Sequence, residues 1–230
     1  MGNILLDAWG YCDNDKYKVR LTGASIYVFD NAGNQLFRFK DIPNAYKAKF
    51  KPSTNVIVAK STAGYIAFYD LDKMSLLKKI KIGLNYSQDD GFDFSTDGKY
   101  LYNIERIDSS IKKRLSIYDA GSYSLLDTLF TSDSIVKLDN IECSEEGTYL
   151  LFVSLKRSYI CELVDNMQVN KVEIPFSHAD QLSAFLSWRD SGFSEKRNKW
   201  DKECGSLYFG PETNCTLAKA AKMFRNDVQP

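Results

Sequence analysis

Phe94-Ser-Thr-Asp-Gly-Lys-Tyr-Leu-Tyr102 and, a few residues on, Tyr118-Asp-Ala-Gly-Ser-Tyr-Ser-Leu-Leu126 decide the fold of this chain. The first stretch is an apolar strand end, a tight turn of Ser, Asp and Gly, and a new apolar run. Gly98 stands where a short hairpin needs a positive φ, which only a residue without Cβ adopts freely. The second closes the alternating run Leu115-Ser-Ile-Tyr118 with an aromatic-Asp pair, then passes through polar residues into another strand. Apolar residues at a period of two, bounded by Gly, Asp and Ser, read as antiparallel β-structure.

Both stretches recur. Phe50-Lys-Pro-Ser-Thr-Asn-Val-Ile-Val58 and Cys143-Ser-Glu-Glu-Gly-Thr-Tyr-Leu-Leu151 align with the first without gaps, and Gly147 takes the place of Gly98. Tyr69-Asp-Leu-Asp-Lys-Met-Ser-Leu-Leu77 repeats the Tyr-Asp and Ser-Leu-Leu of the second, and Phe29-Asp30 closes Ser25-Ile-Tyr-Val-Phe29 in the same way. Weaker copies of the first marker start at Tyr11 and Trp188, so the starts fall at 11, 50, 94, 143 and 188, separated by 39, 44, 49 and 45 residues. A period of this size with about four strands per unit is the mark of propeller blades.

The pairing of Phe-Ser-x-Asp-Gly-Lys-Tyr-Leu with Ile-Tyr-Asp-x-x-x-x-Ser-Leu-Leu resembles the WD-repeat and YVTN-type β-propeller families, over roughly residues 24–175. In WD repeats an aromatic-Asp pair closes the third strand. Tyr69-Asp70 and Tyr118-Asp119 match that position, and Phe29-Asp30 matches it more loosely. The Gly-His pair of WD repeats is absent and His178 is the sole histidine, so the likeness is to the divergent, YVTN-like type. The resemblance implies an all-β, propeller-like array of about five four-stranded blades in a single domain, 1–230. It says little about function, which lives in sites rather than folds.

Blades are expected at about 4–40, 41–83, 88–131 and 135–176, the first with strands near Leu6–Tyr11, Tyr17–Thr22, Ser25–Asp30 and Gln35–Lys40. The last unit, 180–230, is atypical. It carries a mixed-charge run from Ser194, a strand-like Cys204-Gly-Ser-Leu-Tyr-Phe, and a helix-forming segment from Thr216 to Arg225. Leu217, Ala220, Ala221 and Phe224 share one face of that helix, and Asn214 or Thr216 is placed to cap it. Three arrangements stay open: five blades that close with a modified last one (the preferred reading), an open array whose tail covers an exposed edge, or pairing with a second chain.

The chain has 230 residues, 13% of them aromatic, with 30 basic residues balanced by 30 acidic ones. Aromatic enrichment suits pleated, half-buried sheets. Zero net charge gives no support to a nucleic-acid-binding role, which needs a basic face. Cys12, Cys143, Cys161, Cys204 and Cys215 lack zinc-site spacing and read as reduced thiols packed as small hydrophobes. Cys204 and Cys215 are also near enough in sequence to meet across a hairpin. With no apolar run long enough to span a bilayer, the expectation is a soluble, cytoplasmic protein with no membrane partner, no metal and no cofactor.

Few residues carry a chemical signal. His178, with Asp180 to orient it, has the makings of a general base, against the plainer reading of a loop histidine. Asp7, Asp93, Asp139 and Glu142 lie near first strands, where propeller glycosidases place their acid and base. Asp89-Asp90 with Asp93, and Asp13-Asn-Asp15, read as turn formers rather than calcium ligands. The segment Trp188–Trp200 is least explained by blade packing. Its Trp188, Arg189, Arg197 and Trp200 are residue types that dominate binding hot spots, unless both tryptophans pack inside the last blade. The leading expectation is a non-enzymatic protein-interaction or scaffold module whose partner is another protein. The alternatives are a propeller hydrolase, glycosidase- or lactonase-like, and a subunit that needs a second copy if the ring is open.

Overall fold

The computed structural model describes residues 10–83, 91–107, 112–132, 135–145, 147–154, 157–163, 169–175, 178–183, 186 and 216–226. Sixteen strands form four antiparallel sheets, each of four strands in sequence order. The first sheet holds β1 (Gly10–Asp13), β2 (Tyr17–Leu21), β3 (Ile26–Asp30) and β4 (Gln35–Phe39). The second holds β5 (Ala45–Phe50), β6 (Val56–Ser61), β7 (Tyr65–Asp70) and β8 (Ser75–Lys81). The third holds β9 (Phe92–Phe94), β10 (Tyr100–Arg106), β11 (Lys113–Asp119) and β12 (Leu125–Ser132). The fourth holds β13 (Ile135–Ser144), β14 (Gly147–Ser154), β15 (Ser158–Leu163) and β16 (Val169–Ile174). The array is the expected β-propeller-like one, with the strand sets falling in the four expected blades. The first strand begins later than Leu6, at Gly10.

The repeated sequence markers are turn chemistry. Asp119 Oδ1 accepts hydrogen bonds from the backbone N–H groups of Gly121 and Ser122, at 3.0 and 2.6 Å. Asp70 Oδ1 does the same for Asp72 and Lys73, and Asp30 Oδ1 for Asn34. A short carboxylate that satisfies the turn's donors explains why Asp recurs there. Each of these turns also contains a left-handed residue, Gly33, Met74 or Tyr123, and each is followed by a register shift beside the aromatic-Asp pair. Gly98 and Gly147 have φ of 71° and 139°, as the hairpin reading requires.

The described residues fall into two compact units: residues 1–90 with 98–133, and residues 91–97 with 134–230. The core of the first gathers Val19, Leu21, Ile26, Val28, Ile42, Ile57, Ala59, Tyr69 and Leu71, all fully buried. They come from alternate positions of β2, β3, β6 and β7 and from the connecting turns, as period-two burial demands.

In the second unit, the C-terminal helix Leu217–Asn226 packs across the sheet β13–β16. Leu217, Ala220 and Ala221 are buried against Tyr149, Leu151, Ile160 and Val172, and Phe224 is half-buried on the same face. The amphipathic face read from the sequence is thus the one that is buried. Thr216 caps the helix: its Oγ1 accepts from the N–H of Lys219 at 3.2 Å. Residues 178–183 are also helical, and Ala179 and Leu182 join the same core.

Candidate functional site

Trp188, Arg189, Arg197 and Trp200 lie outside the described residues, as do Asp7, Asp89, Asp90, Asn214, Cys204 and Cys215. The remaining sequence candidates do not form one site. His178 opens the 178–183 helix, and its ring stacks on Phe224 with centroids 6.0 Å apart. Asp180 is exposed two positions further on, and residues two apart on a helix do not share a face. Asp139 is paired with Lys137 along its own strand. Glu142 Oε2 accepts the N–H of Leu217 at 2.9 Å, so its charge sits against the positive end of the C-terminal helix. Asp93 alternates with the buried Phe92 and Phe94, and its Oδ1 accepts from the next residue's own N–H. Asp93 and Asp139 hold their own strands, and Glu142 holds the start of the C-terminal helix. Asp13 likewise accepts from Tyr11, and Asn14 closes a turn on Lys16 and Tyr17. Among the described residues no group of three or more His, Cys, Asp or Glu is arranged to hold a metal ion.

The helix is tied at its other end too. Arg225 Nη2 donates to Glu162 Oε2 at 2.8 Å, beside Asn170 Nδ2 at 3.2 Å, and Tyr149 donates to Oε1 at 3.0 Å. Partial burial works against ionisation of Glu162. The donors, Arg225 first, outweigh it and hold the carboxyl below its ordinary value.

What sequence reading missed is a cleft of about 680 Å³ within the first unit. One wall is the end of β8 and the residues after it, with Lys78, Ile80, Lys81, Ile82 and Gly83. The other is β10–β12, with Glu105, Arg106, Arg114, Tyr118 and Leu125. Tyr123 reaches it from the left-handed position of the β11–β12 turn, where its ring packs on Phe68 at 4.4 Å. Gly83 permits the close approach of the walls: a Cβ there would collide with the backbone of Arg106.

Beneath the cleft lies a buried polar chain. Glu105, with a side chain 2% exposed, accepts five hydrogen bonds. They come from Asn103 Nδ2 (2.8 Å), Arg114 Nε and Nη2 (3.0 and 2.8 Å), Ser116 Oγ (2.7 Å) and Tyr118 OH (2.9 Å). Lys60, fully buried in β6, donates to Asn103 Oδ1 at 2.8 Å and to the carbonyl of Ile104. Burial and the adjacent Glu105 carboxylate push the Tyr118 phenol well above its ordinary pKa. A buried charge is tolerated only when paired and hydrogen-bonded in this way. The carboxylate is saturated by its own neighbours. It fixes Arg114 and Tyr118 in the cleft wall and has no lone pair left over for acid–base work.

No protein-family model matches the chain, and no curated protein matches it. Solved structures do. Hydrazine synthase from Kuenenia stuttgartiensis matches with a TM-score of 0.57 and 12% identity, over 72% of this chain and 53% of that one. The dihydro-heme d1 dehydrogenase NirN in complex with DHE matches with a TM-score of 0.55 and 15% identity, over 70% and 35%. KlHsv2 with loop 6CD replaced by a Gly-Ser linker matches with a TM-score of 0.54 and 15% identity, over 72% and 59%. The matched part of this chain spans between about a third and three-fifths of those structures' length. At such identities the likeness is one of β-propeller fold alone.

Proposed function

We propose that the chain is a non-enzymatic protein-interaction module, and that the cleft between β8 and β10–β12 is its main contact surface. One observation carries this reading: the cleft joins apolar walls and aromatic rings to exposed cations, the mixture found at the centre of protein interfaces. The described carboxylates of the hydrolase alternative are each engaged with a backbone group or an ion pair, which supports the non-catalytic reading. Trp188, Arg189, Arg197 and Trp200 belong to the proposal as a second contact, on residue type alone. The partner is a protein in the cytoplasm.

The test compares two proteins as bait in native lysate: the wild type and a Lys78→Glu, Leu125→Asp variant. Both positions are exposed, so the variant folds, which circular dichroism checks. The reading expects a stoichiometric partner on the wild type that is lost from the variant. A partner retained at full strength moves the contact elsewhere. Glycoside or lactone hydrolysis that disappears in Asp93→Asn overturns the non-enzymatic reading altogether.

A further inference from the structure

The wall formed by the end of β8 is a strand seen edge-on. In a β-strand, side chains alternate between faces, so one face of β8 supplies Lys78 and Ile80 only, with Ile82 following just past its end. The cleft is also lined by Lys81, from the alternate set, and by Gly83 just past the strand end. A surface touching both sets touches the edge between them. Among the described residues β8 is the terminal strand of its sheet, hydrogen-bonded to β7 and to no other strand in that sheet. Its outer edge therefore offers backbone N–H and C=O groups along the cleft.

Charge selects what can lie there. The cleft is lined by four cations, Lys78, Lys81, Arg106 and Arg114, and one carboxylate, Glu105, whose charge is matched by its ion pair with Arg114, so Lys78, Lys81 and Arg106 stand in excess. This excess is local, in a chain whose total charge is zero. Lys79 and Lys81 fold back over the ring of Tyr65, with Nζ 5.2 and 4.2 Å from its centroid, leaving Lys78 on the Ile80 and Ile82 face. Edge lysines ordinarily keep sheets of like molecules apart. The same charges admit a strand of opposite sign. The other fourth strands of the unit lack this combination: β4 carries Arg38, which is bonded to Ser25 and stacked on Tyr27, and β12 carries Asp127.

We infer that the edge of β8 accepts an extended acidic peptide segment by strand addition, its apolar residues meeting Ile80, Ile82 and Leu125 and its carboxylates meeting Lys78 and Arg106. Backbone hydrogen bonds would give the register and alternate side chains the selectivity. This inference rests on the cleft being the contact surface proposed above.

The test is a fluorescence-anisotropy titration of the full chain with labelled octapeptides. The probes are alternating Glu–Val, alternating Lys–Val, and Glu–Val N-methylated along one edge. Unlabelled phosphatidylserine vesicles and a single-stranded oligonucleotide serve as anionic competitors. The acidic peptide should bind, weaken with added salt, and lose at least about ten-fold in affinity with Lys78→Glu. The lysine and N-methylated peptides should not bind. Equal binding of the N-methylated peptide overturns strand addition, and displacement by vesicles or oligonucleotide at lower concentration than by peptide overturns the peptide class. If Lys78→Glu, Leu125→Asp abolishes capture of the partner while no octapeptide binds, the cleft stands and the acidic strand is wrong. If both fail, the cleft itself is wrong.

Discussion

Replacing Glu105 with Ala removes the acceptor on which the cleft wall is built, and the cost follows from its partners. Five hydrogen bonds end on one carboxylate whose side chain is 2% exposed. Asn103, Ser116 and Tyr118 are buried and lose their acceptor without gaining water. Each such orphan costs about 1–3 kcal/mol before relaxation. The Arg114 side chain is 32% exposed, so its guanidinium recovers part of its hydration by turning outward. Breaking a buried ion pair from one side costs about 3–5 kcal/mol, and the partial escape of Arg114 keeps the total within that range rather than above it. For a chain of this length each kcal/mol lowers Tm by about 2–4 °C, so Glu105→Ala should melt roughly 6–20 °C below wild type. Glu105→Gln keeps the shape and one carbonyl oxygen but turns an NH2 group toward a donor, and should fall by about 1–3 kcal/mol. Urea unfolding followed by tyrosine and tryptophan fluorescence measures both. The exposed pair Arg157–Glu173, at 3.4 Å, supplies the control: Glu173→Ala should change stability by no more than about 0.5 kcal/mol. A loss below about 1 kcal/mol for Glu105→Ala would refute the view that this network holds the wall.

Three further outcomes are expected. The Glu162 carboxyl lies below its ordinary value in the folded chain, so its contribution is present above the unfolded pKa and is lost as pH falls through the folded one. Arg225→Ala should cost about 1 kcal/mol or less at pH 7, since the Arg225 side chain is 44% exposed and its charge is screened, with the deficit shrinking below about pH 4 in a series of urea melts. Burial pushes the Cys161 thiol up to about 12, and the residue is 1% exposed. Iodoacetamide at pH 8 should leave Cys161 unmodified by peptide mass mapping until urea unfolds the chain; rapid labelling of the folded protein would contradict its burial. Gly83→Ala drives a Cβ into the backbone of Arg106, and should destabilise by about 1–3 kcal/mol while weakening partner capture, whereas Gly33→Ala, which strains the backbone at a φ of 89° but whose Cβ meets open space, should lower stability and leave capture intact. Equal capture by the two variants would separate the cleft from binding.

The Tyr-Asp and Ser-x-Asp-Gly markers made the hairpins, their period and the placing of the four clear blades legible, because each marker does its work within a few residues. Asp119 bonds its own turn, and Gly98 supplies its own positive φ. The helix Leu217–Asn226 was legible for the same reason, since cap and apolar face are local properties. Its anchoring by Glu142 and Arg225 was not. A contact between Glu142 and Leu217 spans 75 positions, and Glu142 read from sequence looks like any carboxylate near a first strand. The cleft is of the same kind. Lys60, Glu105 and Arg114 are scattered along strands and carry no motif, and a buried lysine or glutamate in an alternating strand reads as an outward-facing one. The tertiary structure alone brings β6 and β8 against β10–β12 and so turns unremarkable charges into a saturated buried network beneath a basic groove. Strand and turn are decided by local backbone chemistry. Burial, and with it which charges stay free to meet a partner, is decided by which strands pack together.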